Sequence, residues 1–341
     1  MPSCNHSTNW NTGIGLLLGL LLLAGCATFG NLTRISSEGL EGPQASQCGA
    51  CHVDQYREWQ GTAHAKAFTS TTFQEAAGSP PEEECLKCHS PLEIRAEKTE
   101  SRSFHQQEGV TCISCHLSEG KMHGPHASSA LFNPHPVEED STFYASQSLC
   151  AACHAETHTQ WQKTAARQET RTCQECHQPV VQRRATQGTN FFSNILVAFE
   201  DELPTRSHEI TLEKMVNFPG GVTITALAIK TGPNAPALEV TLRNNLPHDL
   251  PTGTYGEKEI QLVLTSVKDK ELSTDKKVQV SNEQHPIAAG ETKKIVIPLA
   301  STDVLSGTLR LKLERHSESH AGRPPILLVS KNIDFVSEAL L

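Results

Sequence analysis

The sequence predicts two regions of different fold class: a mainly α and irregular N-terminal region over residues 48–188 and a C-terminal antiparallel β-sandwich over 189–341. Three observations predict this. The first region carries five copies of Cys-x-x-Cys-His. The same region has few long apolar runs, at under thirty residues per copy, so side chains alone cannot fill a core. The second region alternates apolar and polar residues in short segments bounded by turn signals, the pattern of half-buried strands.

Ahead of both lie a leader over 1–25 and a Gly/Ser/Thr/Gln-rich tether over 26–47. The leader has no charged side chain, and its apolar core, Ile14 to Ala24, is eleven residues long. That is signal-peptide length and too short to span a bilayer. It ends in Leu23-Ala24-Gly25-Cys26, which resembles a bacterial lipobox. The resemblance implies that Cys26 becomes the lipidated first residue of the mature chain, with enough acyl chains for stable anchoring. Ala27 after Cys26 resembles outer-membrane sorting. The expected location is therefore exported, on the periplasmic or cell-surface side and held at the outer membrane by lipid. No later apolar stretch approaches transmembrane length.

The five motifs are Cys48–His52, Cys85–His89, Cys112–His116, Cys150–His154 and Cys173–His177. This pattern is the attachment site of c-type haem. Cys48, Cys51, Cys85, Cys88, Cys112, Cys115, Cys150, Cys153, Cys173 and Cys176 would form the thioethers. His52, His89, His116, His154 and His177 would each ligate an iron from one side. Zinc knuckles consume Cys pairs two at a time and need no His after the second Cys. Disulfides, which an exported chain can carry, give no reason for five histidines in register. Five covalently attached haem c groups are the reading, and the porphyrins become the core of a haem-packed domain.

From about residue 190, VTITALAIK (222–230), ALEVTLRN (237–244), EIQLVLTSV (259–267), KKIVIPLA (293–300), GTLRLKLER (307–315) and ILLVSKNIDFV (326–336) read as strands. Six or seven short strands over this length suggest a sandwich of immunoglobulin-like size. Within the haem region there is an internal echo. CGACHVDQYREWQGTAHAKA (48–67) aligns with CAACHAETHTQWQKTAARQE (150–169), with Trp59 and Trp161 each eleven residues after the first Cys. His64 in the first copy corresponds to Ala166 in the second.

The second axial ligand sets a haem's potential and reactivity. After Cys26 the chain has only Met122 and Met215, so Met cannot serve five irons. Eleven histidines lie outside the motifs there, which favours bis-histidine, low-spin, low-potential haems.

CGACHVDQYREWQGTAHAKAF (48–68) resembles the opening of the hydroxylamine-linked tetrahaem cytochromes c and their multihaem relatives. In that family the His after the Trp is an iron ligand, which implies His64. EGVTCISCH (108–116) resembles the family's GVxCxxCH unit. HGPHASSALFNPHP (123–136) resembles a stretch that precedes the next motif and favours His135. TCQECHQP (172–179) resembles a closing CQxCHMP unit, with Gln178 in place of Met. RNNLPHDLPTG (243–253) resembles an N…GHxxPTG motif of β-domains that follow haem clusters, with Pro247 in place of Gly; there the His can reach a haem, which implies His248. His208 is a similar candidate. The expected outer ligands are His64, His123, His135, His208 and His248, with His105, His126 and His158 in reserve. His285, His316 and His320 are read as bystanders.

The formal net charge is −9, none of it from the leader. That argues against nucleic acid or anionic lipid as partner, and no nucleotide fingerprint is present. The expectation is a lipid-anchored electron carrier rather than an enzyme. Its partners would be other redox proteins, such as cytochromes and quinol-oxidising or terminal reductase complexes. The alternatives are a reductase or oxidase of a small nitrogen compound at one open-face haem, and a subunit of an extracellular haem assembly.

Overall fold

The computed structural model describes residues 42–335 except 97, 131–132, 134, 166–170, 190–193, 196, 211–219, 231–235, 254–255, 269–270, 273–275, 300–306 and 318–323. The leader, Cys26, the tether up to residue 41, Ala166, Met215 and His320 lie outside the described residues.

The haem-motif region is built from short helices. Helix α1 (Ala45–Cys48) leads into the first motif and α2 (Val53–Gln60) follows it. After α3 (Thr71–Ala76), α4 (Glu83–His89) contains the second motif, and α5 (Cys112–His116) is the third. Helices α6 (Ser141–Ala145) and α7 (Ser148–Ala151) lead to the fourth motif, α8 (Ala155–Ala165) follows it, and α9 (Cys173–His177) is the fifth. Each motif is about one helical turn: the His52 N–H donates to Cys48 O at 2.8 Å and the His154 N–H to Cys150 O at 3.0 Å. Positions i, i+3 and i+4 share a helix face, so both cysteines and the histidine of a motif project to one side.

Helices this short are not stable alone. Three are nucleated by capping boxes, Gln44 with Gln47 on α1, Thr111 with Ser114 on α5 and Thr172 with Glu175 on α9. Small sheets tie the region together. Strands β1 (Leu117–Ser118), β2 (Lys121–Gly124) and β3 (Val137–Glu139) form one. Strands β4 (Val180–Arg183) and β5 (Leu203–Arg206) form an antiparallel pair. The expected division at residue 188 lies between these two paired strands in the sequence.

The C-terminal region is two antiparallel sheets sharing one apolar core. Strands β6 (Val222–Lys230), β7 (Pro236–Asn244) and β11 (Thr292–Pro298) form one, in the order β11-β7-β6. Strands β8 (Lys258–Lys268), β10 (Lys276–Asn282), β12 (Gly307–Ser317) and β13 (Ile326–Phe335) form the other, in the order β10-β8-β12-β13, with β9 (Glu271–Leu272) on β8. The core is the inward half of each alternation: Leu238, Val240 and Leu242 on β7, Ile260, Leu262 and Leu264 on β8, Leu311 and Leu313 on β12. The six strands expected from alternation are all present. Strand β10 is an addition, because KKVQVSN shows only one clear apolar alternation, Val278 and Val280.

The two regions bury apolar side chains very differently. Among the described residues up to 210, the buried hydrophobic side chains are Ala45, Phe73, Ala77 and Ile113. Side chains do not make a core there, as the sequence implied.

Candidate haem-ligation sites

Four motif histidines each stand opposite a histidine from elsewhere in the chain. The ring centroids are 6.4 Å apart for His52 and His135, 6.2 Å for His64 and His154, 6.0 Å for His116 and His208, and 6.5 Å for His177 and His248. A metal–imidazole bond is about 2 Å and a ring nitrogen lies about 1.1 Å from its centroid, so two imidazoles on opposite sides of one metal have centroids about 6.3 Å apart. The four spacings match that span.

The electrostatics suit ligands. Burial depresses the pKa of all eight imidazoles, reaching about 4 for His64, His177 and His208. Each is therefore neutral at neutral pH, the form that binds metal. Carbonyl acceptors also set ring orientation. His52 Nδ1 lies 2.8 Å from Ala185 O, His116 Nδ1 2.8 Å from His123 O, and His248 Nδ1 3.0 Å from Asp249 O. Donation from Nδ1 leaves the Nε2 lone pair for a metal. His89 is oriented the same way, with Nδ1 2.6 Å from Ala67 O.

Two ligands alone do not hold a bare ion. Among the described residues, no group of three or more His, Cys, Asp or Glu side chains could hold a metal ion. Zinc needs about four protein ligands, so these sites suit a metal whose other positions are filled by a bound macrocycle. With the scarcity of side-chain core, the residues fit haem.

The elements that deliver each outer histidine are distinct. His64 follows α2, in a segment whose carbonyl accepts the Val110 N–H at 2.9 Å. His135 directly precedes β3, which pairs in parallel with β2 beside the third motif. His208 follows β5. Its N–H donates to Glu58 Oε2 at 2.7 Å, and Glu58 accepts two bonds from Arg183 at 2.8 and 3.1 Å. Burial alone would raise the Glu58 carboxyl, but these donors and the Arg183 charge hold it below its ordinary value. His248 sits on a loop gripped from both regions. Buried Asn244 donates Nδ2 to His248 O at 3.0 Å and Ile287 O at 2.9 Å. From α8, Gln160 Oε1 accepts the Asp249 N–H at 3.1 Å and the Thr252 hydroxyl at 2.7 Å.

The expected outer ligand His123 lies beside the third motif. His123 O meets His116 Nδ1, while His123 Nε2 lies 3.2 Å from Ser118 O. The His123 ring reaches Ser118 and stands close enough to His116 that, after burial, its charge also helps to depress the His116 pKa. Tyr144 completes this environment, with its hydroxyl 3.0 Å from His123 O and its ring stacked on His116 at 5.2 Å.

The second motif stands apart. Among the described residues no histidine ring faces His89; the Phe73 ring lies nearly parallel to it at 4.0 Å. Of the reserve histidines, His126 Nε2 lies 3.0 Å from Pro204 O and His158 stacks on Trp161 at 6.0 Å. His105 caps a short 3-10 turn with φ 46°. Of the bystanders, His316 lies 3.7 Å from Glu314.

The motifs also meet one another through sulfur. Cys112 lies beside Cys48, Cys153 beside Cys88, and Cys150 beside Cys173. Cys115 lies within Coulombic reach of both Cys150 and Cys153. Every motif therefore touches or neighbours another.

Glu58, Arg183, Asn244, Gln160 and Tyr144 were not singled out by sequence reasoning. Asn244 alone had a signal, as the leading Asn of the stretch that resembles N…GHxxPTG.

Comparison with known proteins gives a family match and a fold match. A family described as cytochrome c554 and c-prime matches residues 47–117. A crystal structure of a penta-haem cytochrome c552 from Thermochromatium tepidum superposes with a TM-score of 0.57 at 18% identity, covering 86% of this chain and 99% of that one. That likeness is one of fold. A β-glucosidase from Streptomyces venezuelae, DesR, in complex with D-glucose, matches with a TM-score of 0.19 at 17% identity, over 34% of this chain and 15% of that one. A glucosidase likeness that low carries no argument. The comparison with curated proteins gives no match. In its fold and motifs the chain is similar to multihaem c-type cytochromes.

Proposed function

We propose that this chain is a lipid-anchored pentahaem cytochrome c that relays electrons between redox proteins outside the cytoplasm. The observation that carries the reading is the set of four histidine pairs with centroids 6.0–6.5 Å apart. Bound haem iron supplies one-electron ferric/ferrous chemistry. The chain's own residues do the rest. His52 with His135, His64 with His154, His116 with His208, and His177 with His248 would each hold one haem between two imidazoles, which suits transfer without substrate binding. The sulfur contacts support a continuous arrangement in which the first motif adjoins the third, and the fourth adjoins the second, third and fifth. Lipidation at Cys26 would tether this relay to the outer membrane, and its redox partners would dock on the folded regions.

A second reading is favoured by one observation: the Phe73 ring lies against His89, where the other four motifs have a facing imidazole. A haem with one protein ligand can bind and reduce a small molecule, so the second motif is where an enzymatic activity would reside.

Electron paramagnetic resonance of the oxidised, fully loaded protein tests both, alongside a pyridine haemochrome count. Five haems with four low-spin signals and one high-spin signal are expected. A count below five, or several high-spin haems, refutes the relay assignment. A high-spin signal that shifts on adding cyanide or nitric oxide moves the assignment of the second motif toward chemistry.

A further inference from the structure

Residues 64–67 serve two motifs at once. His64 gives its ring to the fourth motif, 6.2 Å from His154. Ala67 gives its carbonyl to the second, 2.6 Å from His89 Nδ1. Gly109 is packed against the backbone at both ends of this segment. Its φ is 60° and its ψ −129°, a combination that glycine adopts and residues with a Cβ avoid. A Cβ built there would overlap His64 O, stand 2.9 Å from Ala67 N and stand 3.2 Å from Ala65 O. All three are backbone atoms, so no rotamer change relieves them.

The surroundings hold Gly109 in that position. Buried Arg102 donates Nη2 to Gly109 O at 2.8 Å and to His105 O at 3.1 Å. On the other side the Val110 N–H donates to His64 O at 2.9 Å, and Val110 O accepts Trp59 Nε1–H at 2.8 Å. The loop cannot retreat without breaking these bonds, so a side chain at 109 must displace residues 64–67.

We propose that Gly109 is a positioning residue for two motifs, setting the His64 ring opposite His154 and the Ala67 carbonyl against His89. This rests on the reading of His64 as an axial ligand. The test is Gly109→Ala in the full, haem-loaded chain, compared with His64→Ala and Gly61→Ala. At Gly61 a Cβ meets only Glu58 O, at 3.7 Å, so that control should match the parent.

Gly109→Ala is expected to keep the haemochrome count and add one high-spin haem per chain, converted back to low spin by added imidazole. His64→Ala should give the same signature. A new high-spin signal in His64→Ala with none in Gly109→Ala overturns the role of Gly109. No new signal in His64→Ala overturns the ligation of His64 itself. If Gly109→Ala does not accumulate loaded protein, Trp59→Phe loosens the same loop by removing its donor to Val110 O. A substoichiometric, imidazole-sensitive high-spin signal is then expected, and an unchanged spectrum overturns the proposal.

Discussion

The two copies of the internal repeat share one contact and differ in what surrounds it. In the first, Trp59 Nε1–H donates to Val110 O at 2.8 Å, two residues before Cys112. In the second, Trp161 Nε1–H donates to Arg171 O at 2.9 Å, two residues before Cys173. Each contact ties the helix after one motif to the entry of another, where a threonine then opens a capping box. The sulfur contacts follow the same pairing, Cys48 with Cys112 and Cys150 with Cys173. The repeating unit is thus a two-motif module, first with third and fourth with fifth. The second motif lies in the long connection between Trp59 and Val110, which has no counterpart between Trp161 and Arg171. That inserted motif is the one whose imidazole lies against Phe73 instead of facing a histidine.

The modules are joined by what they lend each other. His64, from the first copy, faces the fourth motif, while His248, from the β-sandwich, faces the fifth. The largest effects should come from removing these outer rings. His248→Ala, His208→Ala and His135→Ala should each add one high-spin haem while all haems stay attached, because attachment is through cysteine. His123→Ala should add none, since the carbonyl that meets His116 Nδ1 remains. A high-spin signal in His123→Ala would contradict the pairing of His116 with His208.

An intermediate effect is expected where the first module meets the segment that bears His208. Glu58 and Arg183 are mostly buried, with side-chain exposures of 18% and 10%. Glu58→Gln keeps the shape but removes the charge. The loss should be about 2 kcal/mol, between the limits for exposed and fully buried pairs, read as a lower denaturation midpoint. Because Glu58 also accepts the His208 N–H, the His116–His208 signal should broaden in the variant. Destabilisation with an unaltered spectrum would separate the stabilising role of Glu58 from any part in placing His208.

Much of this was legible in the sequence because it is local. Cys-x-x-Cys-His is a single helical turn, so its chemistry is written in five consecutive residues. The sandwich strands declare themselves by alternation, as at Leu238, Val240 and Leu242. The histidines that face the motifs are not local. His135, His208 and His248 arrive through strand pairings and loop contacts far along the chain, and only resemblance pointed to His135 and His248. The surroundings of His123 are silent for the same reason: nothing in its neighbours says that its carbonyl would meet His116 Nδ1. Gln160 and Arg183 were silent, because a polar side chain on a short helix or strand gives no sign of the distant backbone it will meet.

The smallest effect bears most directly on the module. Trp59→Phe and Trp161→Phe each preserve an aromatic ring and remove one indole N–H donor. A hydrogen bond to a backbone carbonyl contributes about 1 kcal/mol net, and both bonds have near-ideal length. If the copies are equivalent modules, the two variants should lose similar stability. The double variant should lose the sum, since the two indoles donate to different carbonyls in different modules. Their spectroscopic consequences should differ. The Trp59 contact also braces the loop that packs on His64, so Trp59→Phe should perturb the fourth motif as well as the third. Trp161→Phe should disturb only the fifth, unless its stacking on His158 carries the change back along α8 toward His154. Unequal stability losses would mean that the echo in sequence is not an echo in energetics.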